Sequence, residues 1–282
     1  MDNQNYTIKP NVLDYDDIVK LVPRLQGHEK LVNGLLHFLS VDKVNEIHSR
    51  FCDTPGPEFV RRMLFDGFKI RLRIDNEELL NNLPQGAFVT VSNHPFGALD
   101  GKTLIHHIAS RRPQFKVMVN MILNQISAMR PNFIAVDALA SNDPAKKQVS
   151  MRGIREVIKQ VRSGNPVGFF PAGAVSKVNL KGELNDRQWQ PSVVRLIEQL
   201  KVPVIPIYFH GSNSWWFNFL GVVSWQLRTL RLPAEVFRKC GKEIHVSVGD
   251  IISVEEQQRH QGSVTEFGEF LKSKTYELKK CR

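Results

Sequence analysis

The chain has 282 residues, enough for one large α/β domain or two small ones whose core needs no staples. Hydrophobic residues at 42% and charged residues at 23% exclude a disordered, collagen-like or polytopic membrane chain. Lys and Arg number 38 against 28 Asp and Glu, a net charge of +10 that calls for an anionic partner: nucleic acid, an acidic carrier protein or substrate, or a membrane surface.

The N-terminus lacks the basic start and apolar core of a secretory signal, and no stretch reaches the roughly 18 apolar residues of a spanning helix. A protein of this kind that meets a membrane lies on it. Cys52, Cys240 and Cys281 show no CxxC or Cys/His spacing, so neither disulfides nor a metal site is expected, and a reducing, cytoplasmic compartment fits. Residues 1–80 read as a helical cap. His28–Ser40 carries Leu31, Leu35, Leu36 and Leu39 at helical spacing. After the Thr-Pro-Gly-Pro break, Glu58 to about Lys69 repeats the pattern with Phe59, Met63, Leu64, Phe65 and Phe68 beside Arg61, Arg62 and Lys69. Such a helix either packs into a core or lies in a membrane interface with basic flanks.

From about residue 84 the rhythm becomes short apolar runs separated by helical segments, the pattern of βαβ units. Strands are expected at Ala87–Ser92, Phe115–Asn120, Phe133–Val136, Val167–Phe170, Val204–Phe209 and Ile244–Gly249. Asp143-Pro144 opens a helix with Val149, Ile154, Val157, Ile158 and Val161 on one face, closed by Ser163-Gly164-Asn165-Pro166; Pro191–Leu200 is another. The expected fold is α/β: a mixed, mostly parallel sheet flanked by helices, with residues 81–282 as the domain behind the helical cap.

Three stretches carry chemistry. In Phe88–Gly101 (FVTVSNHPFGALDG) an apolar strand runs into Asn93-His94-Pro95, then Gly97, then Asp100 at the start of a helix. A strand-end histidine with a nearby carboxylate suits general-base catalysis, because the carboxylate fixes the tautomer and stabilises the imidazolium. An ordinary loop histidine and a helix-capping aspartate would give the same letters. In Val167–Lys177 (VGFFPAGAVSK) a strand enters a small-residue turn whose N–H groups can approach a ligand oxygen. Val202–Ser214 (VPVIPIYFHGSNS) has Pro203 and Pro206 in an apolar strand, which predicts a sheet edge or strand end.

In this order, NHPFGALD, FFPAG and VPVIPI resemble the glycerolipid acyltransferase family of the lysophosphatidic-acid type, with its NHxxxxD, FPEGTRS and PIVPV motifs, over residues 85–250. The resemblance implies that His94 takes the proton of an acceptor hydroxyl, Asp100 orients His94, and the acceptor attacks an acyl thioester without an acyl-enzyme. It implies no cofactor beyond the acyl donor, acyl carrier protein (ACP) or coenzyme A (CoA). Asn93, Gly97, Phe170, Pro171, Ala172, Gly173, Ser176, Lys177 and His210 are the expected substrate-binding residues. Backbone N–H groups near Gly97 or at Ala172–Gly173 are the expected oxyanion donors.

The chain departs from the family pattern in informative ways. Five residues, not four, separate His94 from Asp100, and Ala172, Ala174 and Val175 stand where the motif has Glu, Thr and Arg. Valine cannot replace a guanidinium that grips phosphate. NHPxGxxDG with FPAGxVS and FHGSNS looks like the bacterial, hemolysin-annotated branch related to enzymes making ornithine and glycine lipids. That resemblance implies a lyso-lipid acceptor that is a monoacylated amino acid; lysophosphatidic acid is the second reading and thioester hydrolysis the third. Lys177, Arg187 and His210 are candidates for an acceptor carboxylate or donor phosphates.

Ser214–Leu227 (SWWFNFLGVVSWQL) holds Trp215, Trp216 and Trp225 and precedes Arg228, Arg231, Arg238, Lys239 and Lys242. Tryptophan favours the headgroup region and nearby cations an anionic leaflet, so this segment either dips into a membrane or packs under the sheet. A peripheral place on the cytoplasmic face of the inner membrane follows from the first option. Basic residues are otherwise scattered as pairs and no nucleic-acid-binding pattern is present, so nucleic acid is not an expected partner.

Overall fold

The computed structural model describes residues 8–137, 144–178, 184–260 and 262–280. In chain order the strands are β1 (Arg71–Asp75), β2 (Val89–Ser92), β3 (Lys116–Asn120), β4 (Phe133–Val136), β5 (Val167–Phe169), β6 (Lys177–Val178), β7 (Leu184–Asn185), β8 (Val204–His210) and β9 (Glu243–Val248). Seven of them make one sheet in the order β1-β9-β8-β2-β5-β3-β4, while β6 and β7 form a separate antiparallel ladder. Within the large sheet only β8 and β9 pair antiparallel. The fold is the expected mixed, mostly parallel α/β sheet.

Both faces of the sheet are covered, as parallel strands require. On one face Phe59, Met63 and Leu64 of the N-terminal helices share a core with Leu104, Ile105, Ile205, Ile207, Phe209 and Val246. On the other, Val89, Val91, Val167 and Phe169 meet Val157 and Val161 of helix Pro144–Arg162, Val194 and Ile197 of helix Pro191–Leu200, and Phe267 and Leu271 of helix Val264–Glu277. Each such side chain contributes ~1.5–3 kcal/mol when fully buried.

The N-terminal region departs from expectation in two ways, and on a third point the core-packing alternative holds. Two helices that the sequence pattern did not single out, Tyr15–Leu21 and Val41–Phe51, flank helix Glu29–Phe38. The Glu58–Lys69 pattern is helix Pro57–Arg62 continued by one π-helical stretch, and it packs inward: Phe59, Met63, Leu64 and Phe68 are buried. Of its basic flank, Arg61 pairs with Glu58 and Arg62 with Asp53. Finally, residues 71–75 are not helical but form β1, where Arg71 and Arg73 alternate with Leu72 and Ile74. Exposed charge along an edge strand blocks further pairing.

Two other expectations fail. Pro206 does not mark an edge, since β8 lies between β9 and β2. Its missing N–H is tolerated because the β8–β9 ladder ends at Ile207↔Val248 and resumes only as a bridge at Val204↔Ile252, leaving one extra residue on the β9 side as a bulge. Gly249 lies in that bulge, where a Cβ would come within 2.8 Å of the Pro206 ring. Ile154 is exposed rather than on the packed face; Gly153 beside it makes the close approach to β4, where a Cβ would sit 2.4 Å from Val136. The Asp143 cap lies outside the described residues.

Candidate active site

Strands β2, β5 and β8 are parallel neighbours, so their C-terminal ends, which carry the three motifs, meet at one rim of the sheet. Ligands of open α/β sheets bind at such rims. Asn93, buried at the end of β2, ties the first motif to the third: its Nδ2 donates to the Phe209 carbonyl at 2.9 Å and its Oδ1 accepts the Phe209 N–H at 2.7 Å.

The His94–Asp100 spacing is resolved by Gly97. With φ +77° and ψ −122°, a conformation open to glycine alone, it takes up the extra residue and lets helix Ala98–Leu104 start at the next position. Asp100 then lies in the first helical turn, where its Oδ2 accepts the N–H groups of Phe96 and Gly97, each at 2.9 Å. The same oxygen lies 2.9 Å from Nδ1 of His94. Complete burial pushes the Asp100 carboxyl up, while the imidazole and the two amides pull it the other way. With Nδ1 facing the carboxylate, Nε2 of His94 is the nitrogen free to meet a substrate proton.

The second motif closes over the histidine. The Phe170 ring packs on the His94 ring with centroids 4.2 Å apart. Pro171 accepts the Gln190 N–H through its carbonyl, Ala172 is buried, and Gly173 turns the chain at φ +64°. Ser176 donates its N–H to the His94 carbonyl at 2.8 Å. Two expected oxyanion donors are already engaged: Gly97 N–H bonds Asp100 and Gly173 N–H bonds the Phe170 carbonyl. Ala174 and Val175 N–H make no hydrogen bond among the described residues.

Lys177 and Arg187 are exposed and form no ion pair among the described residues; burial and the neighbouring Arg187 and Arg228 charges push Lys177 down. His210 is drawn away from the dyad. Its ring stacks on His245 at 4.0 Å and its Nε2 meets Ser247 Oγ at 2.7 Å, while burial and the neighbouring His245 push it down to about 4. Asp75, His210 and His245 offer ligand atoms within 4.8 Å of one another. An imidazole binds a metal in its own ring plane, so two rings stacked 10° from parallel cannot both aim at one ion without unstacking. His245 instead bonds Asp75 at 2.5 Å.

A family model described as acyltransferase matches residues 25–282. The chain belongs to this acyltransferase family. Two curated relatives named lyso-glycine lipid O-acyltransferase, from Phocaeicola vulgatus and Bacteroides thetaiotaomicron, are each 24% identical over 92% and 88% of this chain and 89% of their own lengths. The crystal structure of the 1-acyl-sn-glycerophosphate acyltransferase PlsC from Thermotoga maritima superposes with a TM-score of 0.52 at 12% identity, covering 80% of this chain and 77% of that one. At that identity the match speaks for the fold alone.

Sequence reasoning missed two residues of this acyltransferase's site. Asp186, after β7, is buried and touches both His94 and Ser176. Arg228, expected as a membrane-facing cation, is buried instead: Nη2 donates to the Val175 carbonyl at 2.7 Å and Nη1 to that of Ser176 at 3.4 Å. Gly221 makes room for it, since a Cβ there would lie 2.6 Å from Arg228 Cδ. Neither residue belongs to a motif; each reaches the site through tertiary contact. Lys239 is also turned inward, donating to the Ser212 carbonyl across the Phe96 ring.

The Trp215–Val223 and Trp225–Leu230 helices, by contrast, face outward. Ser214 caps the first and is bound by buried Glu235, and only Phe217 of that helix is buried. Trp215 is 73% and Val222 85% exposed, with Trp216, Phe219, Val223, Leu227 and Leu230 also on the surface. None of the described helices is long and apolar enough to cross a membrane.

Proposed function

We propose that this acyltransferase moves a fatty acyl group from an acyl thioester, acyl-ACP or acyl-CoA, to the hydroxyl of a lyso-lipid, a monoacylated amino acid of the glycine- or ornithine-lipid type. The observation that carries the reading is Asp100 Oδ2, fully buried and 2.9 Å from Nδ1 of His94. As the acceptor oxygen attacks the thioester carbon, its proton passes to His94 Nε2 and the carbonyl oxygen becomes an oxyanion. The N–H groups of Ala174 and Val175, without a hydrogen bond among the described residues, are candidate donors to it. Collapse breaks the C–S bond, and the His94 proton goes to the departing thiolate. No side-chain nucleophile is required.

Two further features support this reading. Position 175 is a valine, so the motif itself supplies no guanidinium for phosphate, and the Arg228 guanidinium beside it is engaged by the Val175 and Ser176 carbonyls, whereas Lys177 and Arg187 offer exposed positive charge for an acceptor carboxylate or donor phosphates. Both curated relatives carry an amino-acid lipid in their names. The exposed Trp215–Leu230 face, with Arg238 and Lys242 exposed beyond it, suits peripheral docking on an anionic bilayer at the cytoplasmic face.

Purified protein supplied with acyl-ACP or acyl-CoA and a monoacylated, hydroxylated amino acid should yield the diacylated product by mass spectrometry, and more of it than of phosphatidic acid when lysophosphatidic acid competes. His94→Ala should abolish turnover by a factor of about 10³ or more with its melting temperature kept. Near-wild-type turnover in His94→Ala would remove the base, and preference for lysophosphatidic acid would overturn the acceptor assignment.

A further inference from the structure

The histidine of the dyad is held on two sides. Asp100 fixes its ring, but its backbone belongs to the β6–β7 hairpin: Ser176 N–H reaches the His94 carbonyl at 2.8 Å, and the His94 N–H reaches Asp186 Oδ1 at 3.4 Å. Ser176 and Asp186 are cross-strand partners one step beyond the Lys177↔Asn185 register, and Ser176 Oγ donates to the same Asp186 oxygen at 2.5 Å. Asp186 Oδ2 accepts Trp189 Nε1–H at 3.1 Å, and the Asp186 N–H donates to Tyr276 Oη at 2.7 Å.

Asp186 is thus a buried carboxylate with three donors on its oxygens and no ion-pair partner among the described residues. Burying a carboxylate without a cation is expensive even when it is hydrogen-bonded, and an asparagine could accept bonds at the same place without that charge. The charge is felt around it, for it adds to the burial that raises Tyr208 to about 12 and raises Tyr276 further. The other charged groups of this neighbourhood are Lys177 in β6, Arg187 just after β7, Arg228 at the Val175 and Ser176 carbonyls, Asp100 at Nδ1 of the His94 ring, and Lys239, which interacts with Asp100.

We propose that Asp186 is a positioning residue of the acyl-transfer reaction. It sets the backbone of His94 against the second-motif turn, and its negative charge, held at the His94 N–H, favours the imidazolium that exists after the acceptor proton has moved to Nε2. Asp100 orients the ring and Asp186 orients the residue that carries it. The inference rests on His94 acting as the base, and the experiment separates the two claims.

The test measures initial rates of the full chain with acyl thioester and acceptor across pH for wild type, His94→Ala, Asp186→Asn and Ser176→Ala, with melting curves for each. Asp186→Asn keeps the size and one acceptor but removes the charge. It should lower kcat about tenfold at unchanged KM and move the acid limb of kcat/KM to lower pH by about half a unit to one unit, because the imidazolium loses a favourable neighbour. Ser176→Ala frees the carboxylate of its shortest bond and should move that limb the opposite way by a smaller amount. If Asp186→Asn does not fold, the Ser176→Ala limb decides. A limb and kcat equal to wild type in the folded variants would overturn the role of Asp186 while an inactive His94→Ala kept the base; an active His94→Ala would remove the base itself.

Discussion

The segment from Ser92 to Thr103, from the end of β2 into helix Ala98–Leu104, and the helices from Trp215 to Leu230 invert the usual partition of side chains in opposite directions. The segment buries polar groups: Ser92, Asn93, Asp100 and Thr103 are all inside. The helices expose apolar ones. An unpaired polar group inside costs about 1–3 kcal/mol, so Asn93 and Asp100 are held by named partners. Exposed apolar surface forgoes about 25 cal/mol per Å², and none of the described residues covers the outer face of those helices. Stability explains neither arrangement, but a fixed proton acceptor explains the first and a surface awaiting a bilayer the second. Arg228 joins them, since its backbone belongs to the exposed helices and its guanidinium holds the carbonyls of the catalytic turn.

The largest effect expected is on the buried side. Asp100→Asn preserves a carbonyl to accept from Phe96 and Gly97 but removes the charge that faces His94, so kcat should fall about 10³-fold, read in the same product assay, while the melting temperature stays within a few degrees. A variant that turned over normally would reduce the buried segment to scaffolding and end the contrast with the helices.

Next in size is a pair of changes within one helix. Phe217→Ala empties a fully buried site beneath the exposed face and should cost about 3–5 kcal/mol by denaturant unfolding. Trp215→Ser with Trp216→Ser should leave that stability nearly intact and instead weaken co-sedimentation with anionic vesicles on the order of tenfold, with the residual binding falling further as salt is raised. The reverse pattern, early melting with unchanged vesicle binding, would make the outer face a packing surface.

The fold was largely legible because its strands are continuous apolar runs, and β2, β4 and β8 fall close to where those runs and the flanking turns place them. β1 escaped because alternating Arg and Leu follow directly on a helical pattern, and an edge strand needs only one apolar face. The dyad was legible as residue types in order. What closes it was not: the positive φ of Gly97 compensates a spacing that the letters alone make unfavourable. Asp186 was invisible because a lone aspartate in a polar run carries no local signal, and the Trp215–Leu230 segment reads equally as core or surface until packing decides.

The smallest effect expected concerns a polar group that neither region explains. His107 is buried against Thr103, Ile207 and Phe209 at a small apolar cavity, its Nε2 has no hydrogen-bond partner among the described residues, and burial, with His106 and Arg111 nearby, pushes it down to about 3. Its ordinary value is 6.5, so between those limits the unfolded chain binds a proton that the folded chain refuses. Stability is therefore fully present above pH 6.5 and declines as pH falls towards 3, with about 2 kcal/mol of His107's share lost by pH 5. His107→Leu should leave stability at pH 7.5 unchanged or slightly raised and flatten the acid decline by that amount, measured by urea unfolding at both pH values. His210, pushed down to about 4, would keep part of the decline in the variant. An unaltered slope would place His107's proton in contact with water and make its burial, like that of Asn93 and Asp100, a hydrogen-bonded one.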